Sequence, residues 1–247
     1  DDAIRHAISK MSHLHFTSTE AYRNRVIQLG EQPERVFNVG ALGVENVMKN
    51  DFMSKEEIES SLNFQLTDKC LLCTYHPVTL SNMSSEVQVL NLLKALDYYK
   101  DYHIIFTYSN SDTNSQIIIK RIQEYVDRNK GRCMFIPSLG QRRYFSALKY
   151  MTAVLGNSSS GIIEVPSFGI PTLDIGDRQK GRIAADCVIH CGYSIEEIKE
   201  GLEKVVNYPS KAIDNHYYKE GTCEAIFNII KNYPLENLVQ KSFYDLK

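Results

Sequence analysis

Val154-Leu-Gly-Asn-Ser-Ser-Ser-Gly-Ile-Ile-Glu164 is the stretch on which the fold of this chain turns. Its apolar run ends at Leu155, small polar residues turn the chain, and helical spacing begins around Ser158 or Ser159. A strand that gives way to a helix through such a turn is one unit of a parallel α/β sheet. The first N–H groups of the helix have no intrahelical acceptor, and with serine hydroxyls beside them they suit an anion such as a diphosphate. The helix dipole adds only about 0.3–1 kcal/mol at an exposed site. Charge-assisted hydrogen bonds, at roughly 1.5–3 kcal/mol each, would supply most of the grip. Taken alone, the Asn-Ser-Ser turn is explained better by plain N-capping. Glu164 goes further, because one to two turns into the helix it offers an acceptor for ribose hydroxyls. Pro166 implies that the helix is short or kinked.

Outward from this segment, short apolar runs alternate with amphipathic stretches, as in a doubly wound parallel sheet. Strands are expected at residues 13–17, 36–39, 70–75, 103–107, 133–136, 153–155, 172–175 and 187–190. Val89, Leu92, Leu93 and Leu96 after Ser84-Ser85 give one helix by their i, i+3, i+4, i+7 spacing. Ile118, Ile119, Ile122, Tyr125 and Val126 after Asp112 give another. Thr19 and Gly30 read as the N-cap and the stop of an earlier helix. The small-residue turn Gly40-Ala-Leu-Gly43 suggests a boundary. Residues 1–39 are then a remnant of one Rossmann-like domain, 40–225 a complete second one, and 226–247 a tail returning toward the first.

The expected strand ends carry the polar chemistry, which is how doubly wound folds build a ligand crevice. Tyr75-His-Pro-Val-Thr79 places His76 where a proton donor or cation is useful. Ser109-Asn110-Ser-Asp112 and Ile136-Pro137 end the next two strands. Gly176-Asp-Arg-Gln-Lys-Gly-Arg182 ends another, with Arg178 or Arg182 placed to fork a phosphate or to lock the loop.

The 247 residues are 43 % hydrophobic and 23 % charged, with a formal charge of −2 and no basic stripe. That argues against nucleic acid and against an anionic membrane surface as partners. No apolar run approaches the roughly 18 residues of a membrane span, and no export signal is legible. Six cysteines are present. Cys70 and Cys73 form C-x-x-C on a strand, where positions three apart face opposite ways, so a shared metal is not expected. Reduced thiols in a cytoplasmic protein are. The chain opens on Asp1-Asp2 without methionine, which suggests that it begins in mid-structure.

Asp1-Asp2-x-Ile-Arg-His6-Ala-Ile, Tyr22…Arg25-Val…Gly30-Glu31, His76-Pro-Val-Thr79, Gly156-Asn-Ser-Ser-x-Gly161…Glu164 and Arg178-Gln-x-Gly-Arg182 together resemble the hydrolysing UDP-N-acetylglucosamine 2-epimerases of sialic-acid pathways. The resemblance implies a GT-B-like pair of Rossmann-like domains. It implies conversion of UDP-N-acetylglucosamine and water to N-acetylmannosamine and UDP through a glycal, with no cofactor and no essential metal. It also implies a homo-oligomer at full length. By the same resemblance Ser158 and Ser159 hold the diphosphate, Glu164 the ribose, and Ile136 and Tyr144 the uracil, with Asn110 and Arg178 completing the nucleotide contacts. His76 stands beside the leaving diphosphate, and Asp1, Asp2 and Arg5 close the cleft from the first domain. Remaining catalytic groups would lie upstream, so the isolated chain is expected to be inactive. A UDP-N,N'-diacetylbacillosamine 2-epimerase, a GT-B glycosyltransferase and a non-catalytic UDP-binding module are the alternatives.

Overall fold

A computed structural model describes every residue except 1, 79–80, 109–113, 210–213, 237, 239 and 247. The chain forms two compact units, residues 1–49 with 216–247 and residues 50–215.

The first unit contains a two-stranded parallel sheet, β1 (His15–Thr17) beside β2 (Val36–Asn38). It also holds the helices α1 (Asp2–Met11), α2 (Glu20–Gln28), α3 (Leu42–Met48) and, from the far end of the sequence, α10 (Thr222–Asn232). The Thr19 hydroxyl accepts the Tyr22 N–H as the N-cap of α2, and Gly30 follows that helix with a φ of 88°. The compact units divide at 49/50 and 215/216, whereas the boundaries expected from sequence lie at 39/40, at the Gly40 turn, and at 225/226. Helix α3 belongs with α10: Ala41 N–H binds the Tyr217 carbonyl at 2.9 Å, and the buried Glu45 carboxylate takes the Cys223 N–H at 2.6 Å. Residues 226–232 of the expected tail belong to α10, and beyond it the described residues form no helix or strand. Lys241 Nζ reaches the Ser9, Lys10 and Ser12 carbonyls at the end of α1 and the buried Glu31 carboxylate at 2.7 Å.

The second unit is built on a six-stranded, all-parallel sheet. Its strands are β3 (Cys70–Thr74), β4 (His103–Thr107), β5 (Cys133–Ile136), β6 (Ala153–Gly156), β7 (Thr172–Ile175) and β8 (Val188–Cys191). Their order is β5-β4-β3-β6-β7-β8, so the winding reverses between β3 and β6. Alternation along β3 sends Leu71 and Cys73 into the main core with Val89, Leu92 and Leu96 of α5 (Ser85–Leu96) and Ile118 and Ile122 of α6 (Ser115–Arg128). Cys70 is also buried but lies outside that cluster, so the two thiols face different layers. Helix α9 (Ile195–Val206) closes the same face with Ile198, Leu202 and Val205. Helix α7 (Gly140–Leu148) packs with α4 (Lys55–Leu62), which opens on a Ser54–Glu57 capping box. Among the described residues no helix is long and apolar enough to cross a membrane, and no cluster of metal-ligating side chains is found.

Candidate functional site

The strand order reverses between β3 and β6, and doubly wound sheets take their ligands at the carboxyl ends of strands on either side of such a reversal. Gly156 ends β6 with a φ of 123°, and a Cβ there would sit 1.9 Å from the Thr74 carbonyl oxygen of β3. Only glycine lets the two strand ends approach so closely. Asn157 follows, wholly buried, and its side chain bridges the gap: its Oδ1 accepts the His76 N–H at 2.7 Å and its Nδ2 donates to the His76 carbonyl at 2.9 Å. From the β7 end, Gln179 Nε2 and Arg178 Nη1 donate to the Asn157 carbonyl at 2.8 and 3.0 Å.

The next turn carries the anion chemistry. The N–H groups of Ser158 and Ser159 make no hydrogen bond among the described residues, whereas the Ser160 N–H reaches back toward the Ser158 hydroxyl at 3.4 Å. The helix read from Ser158 or Ser159 is short, as Pro166 implies. It is α8 (Ser160–Ile163), one turn with Ser159 as N-cap, and it runs on as a 3-10 segment, Val165–Phe168, because Pro166 has no N–H to donate. One turn has little macrodipole, so anion binding here rests on individual N–H groups and hydroxyls.

Ser160 joins two of the expected residues. Its hydroxyl lies 2.7 Å from the Tyr144 hydroxyl and hydrogen-bonds to Glu164. Burial drives the Glu164 carboxyl above the usual carboxylate range, against the opposing pull of the Ser160 hydrogen bond and the Arg182 charge. One of its oxygens, Oε2, is buried with no hydrogen-bond partner. An ionisable acceptor held out of water with an unused oxygen is suited to ligand hydroxyls. Burial likewise raises the Tyr144 phenol, so it stays protonated at neutral pH. Ile136 sits half-buried at the end of β5, beside Phe135, whose ring lies 4.3 Å from that of Tyr108.

The second unit thus holds His76, Ile136, Tyr144, Ser158, Ser159, Glu164 and Arg178 at or near the carboxyl edge of one sheet. Arg178 is used, at least through Nη1, to lock the loop at Asn157. Asp1 and Asn110 lie outside the described residues. Asp2 begins α1, and Arg5 is exposed on that helix in the first unit. Asn157, Ser160 and Gln179 are not singled out by sequence. Asn157 and Gln179 do stand inside the quoted motifs, but their partners lie up to 81 residues away.

Six parallel strands that reverse at a switch point, with helices packed on them, define a doubly wound α/β domain, the fold that GT-B-like proteins use. The chain belongs to the UDP-N-acetylglucosamine 2-epimerase family, whose model matches residues 1–231. It is 38 % identical over its whole length to the GDP/UDP-N,N'-diacetylbacillosamine 2-epimerase (hydrolyzing) of Campylobacter jejuni, covering 65 % of that protein. It is 40 % identical over its whole length to the polysialic acid biosynthesis protein P7 of Escherichia coli, covering 64 %. Over 97 % of its length it is 34 % identical to the UDP-N,N'-diacetylbacillosamine 2-epimerase (hydrolyzing) of Legionella pneumophila, covering 63 %. The chain therefore spans somewhat under two thirds of these relatives. Its fold resembles that of the Methanocaldococcus jannaschii UDP-GlcNAc 2-epimerase solved with UDP-GlcNAc and UDP. The TM-score is 0.68 at 19 % identity, over 90 % of this chain and 62 % of that one. The Neisseria meningitidis UDP-GlcNAc 2-epimerase bound to UDP-GlcNAc gives 0.66 at 20 % identity, over 91 % and 62 %.

Proposed function

We propose that the second unit is the UDP-binding half of a hydrolysing UDP-sugar 2-epimerase, and that the chain binds UDP without completing the reaction alone. The observation that carries this is the Tyr144–Ser160–Glu164 chain, ending in an unpartnered carboxylate oxygen on the same strand-to-helix segment as the Ser158 and Ser159 N–H groups, which make no hydrogen bond among the described residues. On this reading Ser158 and Ser159 take the diphosphate, Glu164 the ribose, and Ile136 with Tyr144 the uracil. Asn110 is a further nucleotide contact. His76 faces the departing diphosphate, where a donor lowers the barrier to C1–O cleavage. Asp1, Asp2 and Arg5 are the further residues proposed to act on the sugar.

For the sugar, the relatives favour UDP-N,N'-diacetylbacillosamine over the UDP-N-acetylglucosamine expected from sequence. Two of the three named above, at 38 and 34 % identity, bear that substrate in their names. The second reading, N-acetylmannosamine formation for sialic acid, is kept by the 40 % identity to a polysialic acid biosynthesis protein. Calorimetry with UDP on this chain tests the site, with Ser159→Ala and Glu164→Ala as controls. Micromolar to millimolar binding that both variants weaken is expected, and equal binding by all three refutes the placement. UDP release assays with the two UDP-sugars, on the chain joined to the remaining third found in its relatives, decide between the substrates.

A further inference from the structure

Every kind of polar group on Asn157 is engaged, and its partners lie on the ends of neighbouring strands. Its N–H donates to the Thr74 carbonyl at 3.2 Å, and its side-chain amide pairs with both polar groups of the His76 backbone at 2.7 and 2.9 Å. Its carbonyl accepts from Gln179 and Arg178 at 2.8 and 3.0 Å. The residue is completely buried, and no kind of polar group on it is unmatched and waiting for a ligand. We propose that Asn157 is a positioning residue that couples the anion-binding turn to His76, so that a diphosphate bound at Ser158 and Ser159 is sensed at the His76 imidazole. This rests on the reading of that turn as a diphosphate site.

Two peptide groups carry the coupling. The Asn157 carbonyl and the Ser158 N–H belong to one planar trans peptide and point to opposite sides of it. Two donors on the carbonyl, one of them a guanidinium, fix the plane and polarise it, which makes the Ser158 N–H a stronger donor to an anion. On the other side, the Asn157 amide holds the N–H and C=O that flank the His76 α-carbon, which sets both backbone torsions of His76 and hence the direction of its ring. Aspartate cannot replace the amide. It would keep the acceptor for the His76 N–H but set an oxygen against the His76 carbonyl and bury a charge.

The test uses this chain, Asn157→Ala, and Val205→Ala as a core variant remote in sequence that is destabilised for ordinary packing reasons. UDP affinity is measured by calorimetry, and the His76 imidazole pKa by NMR titration with and without saturating UDP, His76→Gln supplying the assignment. In the wild type, UDP raises the His76 pKa. In Asn157→Ala, UDP binds about tenfold more weakly, the equivalent of about 1.4 kcal/mol, and at saturation the rise is lost. Val205→Ala keeps both. A full rise in Asn157→Ala, or the same losses in Val205→Ala, overturns the coupling and leaves Asn157 a structural staple. If Asn157→Ala does not fold, Gln179→Ala carries the test from the other side: UDP binds severalfold more weakly with the rise retained, and unchanged affinity overturns the proposal. A wild-type chain that does not bind UDP refutes the site itself, and the coupling with it.

Discussion

Replacing Glu164 by glutamine separates what this carboxylate does for binding from what it does to folding. In the ligand-free protein the group is a burden: burial raises its carboxyl above the ordinary range, and Oε2 has no hydrogen-bond partner. A carboxylate whose pKa is raised by folding contributes stability that is complete below its unfolded pKa and is lost as pH rises through the folded value. Once the group is ionised that contribution is gone, and the unpaired buried oxygen costs on the order of 1–3 kcal/mol. Glutamine keeps the shape, can turn its oxygen to the Ser160 hydroxyl, and removes the charge. We expect a gain of about 1 kcal/mol, or about 2–4 °C in the midpoint for a unit of this size. The gain should shrink as pH falls through the titration of Glu164. Binding should move the other way. Exchanging a charge-assisted acceptor for a neutral one forfeits part of roughly 1.5–3 kcal/mol per ribose hydrogen bond, so UDP affinity should fall about tenfold or more. Thermal melts between pH 4 and 8 and UDP calorimetry on the same preparations measure both. A variant less stable than the wild type at pH 7, or one that binds UDP equally well, refutes the reasoning.

Three further outcomes are expected. Gly156→Ala puts a Cβ 1.9 Å from the Thr74 carbonyl at a φ of 123°. The left-handed penalty of about 1–2 kcal/mol and overpacking of about 1–3 kcal/mol should lower the melting temperature by several degrees and abolish UDP binding; a melt within a degree of wild type contradicts the close approach. The first unit should loosen in acid. Burial pushes the Glu31 carboxyl up, but the hydrogen bonds from Lys10, Lys241 and His15 outweigh it and hold it below the usual range, while burial lowers the His15 imidazole. A depressed carboxylate loses its stabilising contribution as pH falls through its folded pKa, and a depressed imidazole loses its own below about 6.5. Protection factors against hydrogen exchange over α1 and residues 29–31 should therefore fall below that pH, and in Lys241→Met at every pH; equal protection in variant and wild type would rule out the clasp. Among the six thiols, Cys223 is exposed, whereas burial pushes Cys133 up to about 11 and Cys191 to about 12. A thiol reagent at pH 8 should titrate Cys223 first, and a lag before any labelling would show that exposure to be wrong.

Apolar alternation made the sheet legible. The strands expected at 103–107, 133–136 and 172–175 are β4, β5 and β7 with the same limits. Serine and threonine caps placed the starts of α2 and α5, since a hydroxyl three residues before a free N–H is a local event. The strand expected at 13–17 loses its first two residues, because a strand extends only as far as a neighbour pairs with it, and β2 begins opposite His15. The compact units divide away from the expected boundary for a similar reason. The Gly40 turn is real, with a φ of 86°, but which unit α3 joins depends on Tyr217 and Cys223, far along the chain. The same limit applies to the site. Ser158, Ser159 and Glu164 stand in one motif, so a local reading could propose them together. Asn157 was hidden in that motif because its chemistry is a partnership with His76, and Ser160 because its partner Tyr144 lies on another helix.

The first unit is assembled from both ends of the polypeptide, with residues 50–215 lying between its two parts. A ribosome delivers residues 1–49 first and must then make the whole second unit before α10 and Lys241 emerge. At the roughly 5–20 residues per second of synthesis, α1, α3 and the buried carboxylates Glu31 and Glu45 wait on the order of ten seconds or more for Lys241 and Cys223. The second unit is free to fold during that interval, while the first unit still lacks the partners of its buried carboxylates. Its completion, unlike that of the second unit, must wait for the last residues described here to clear the ribosome.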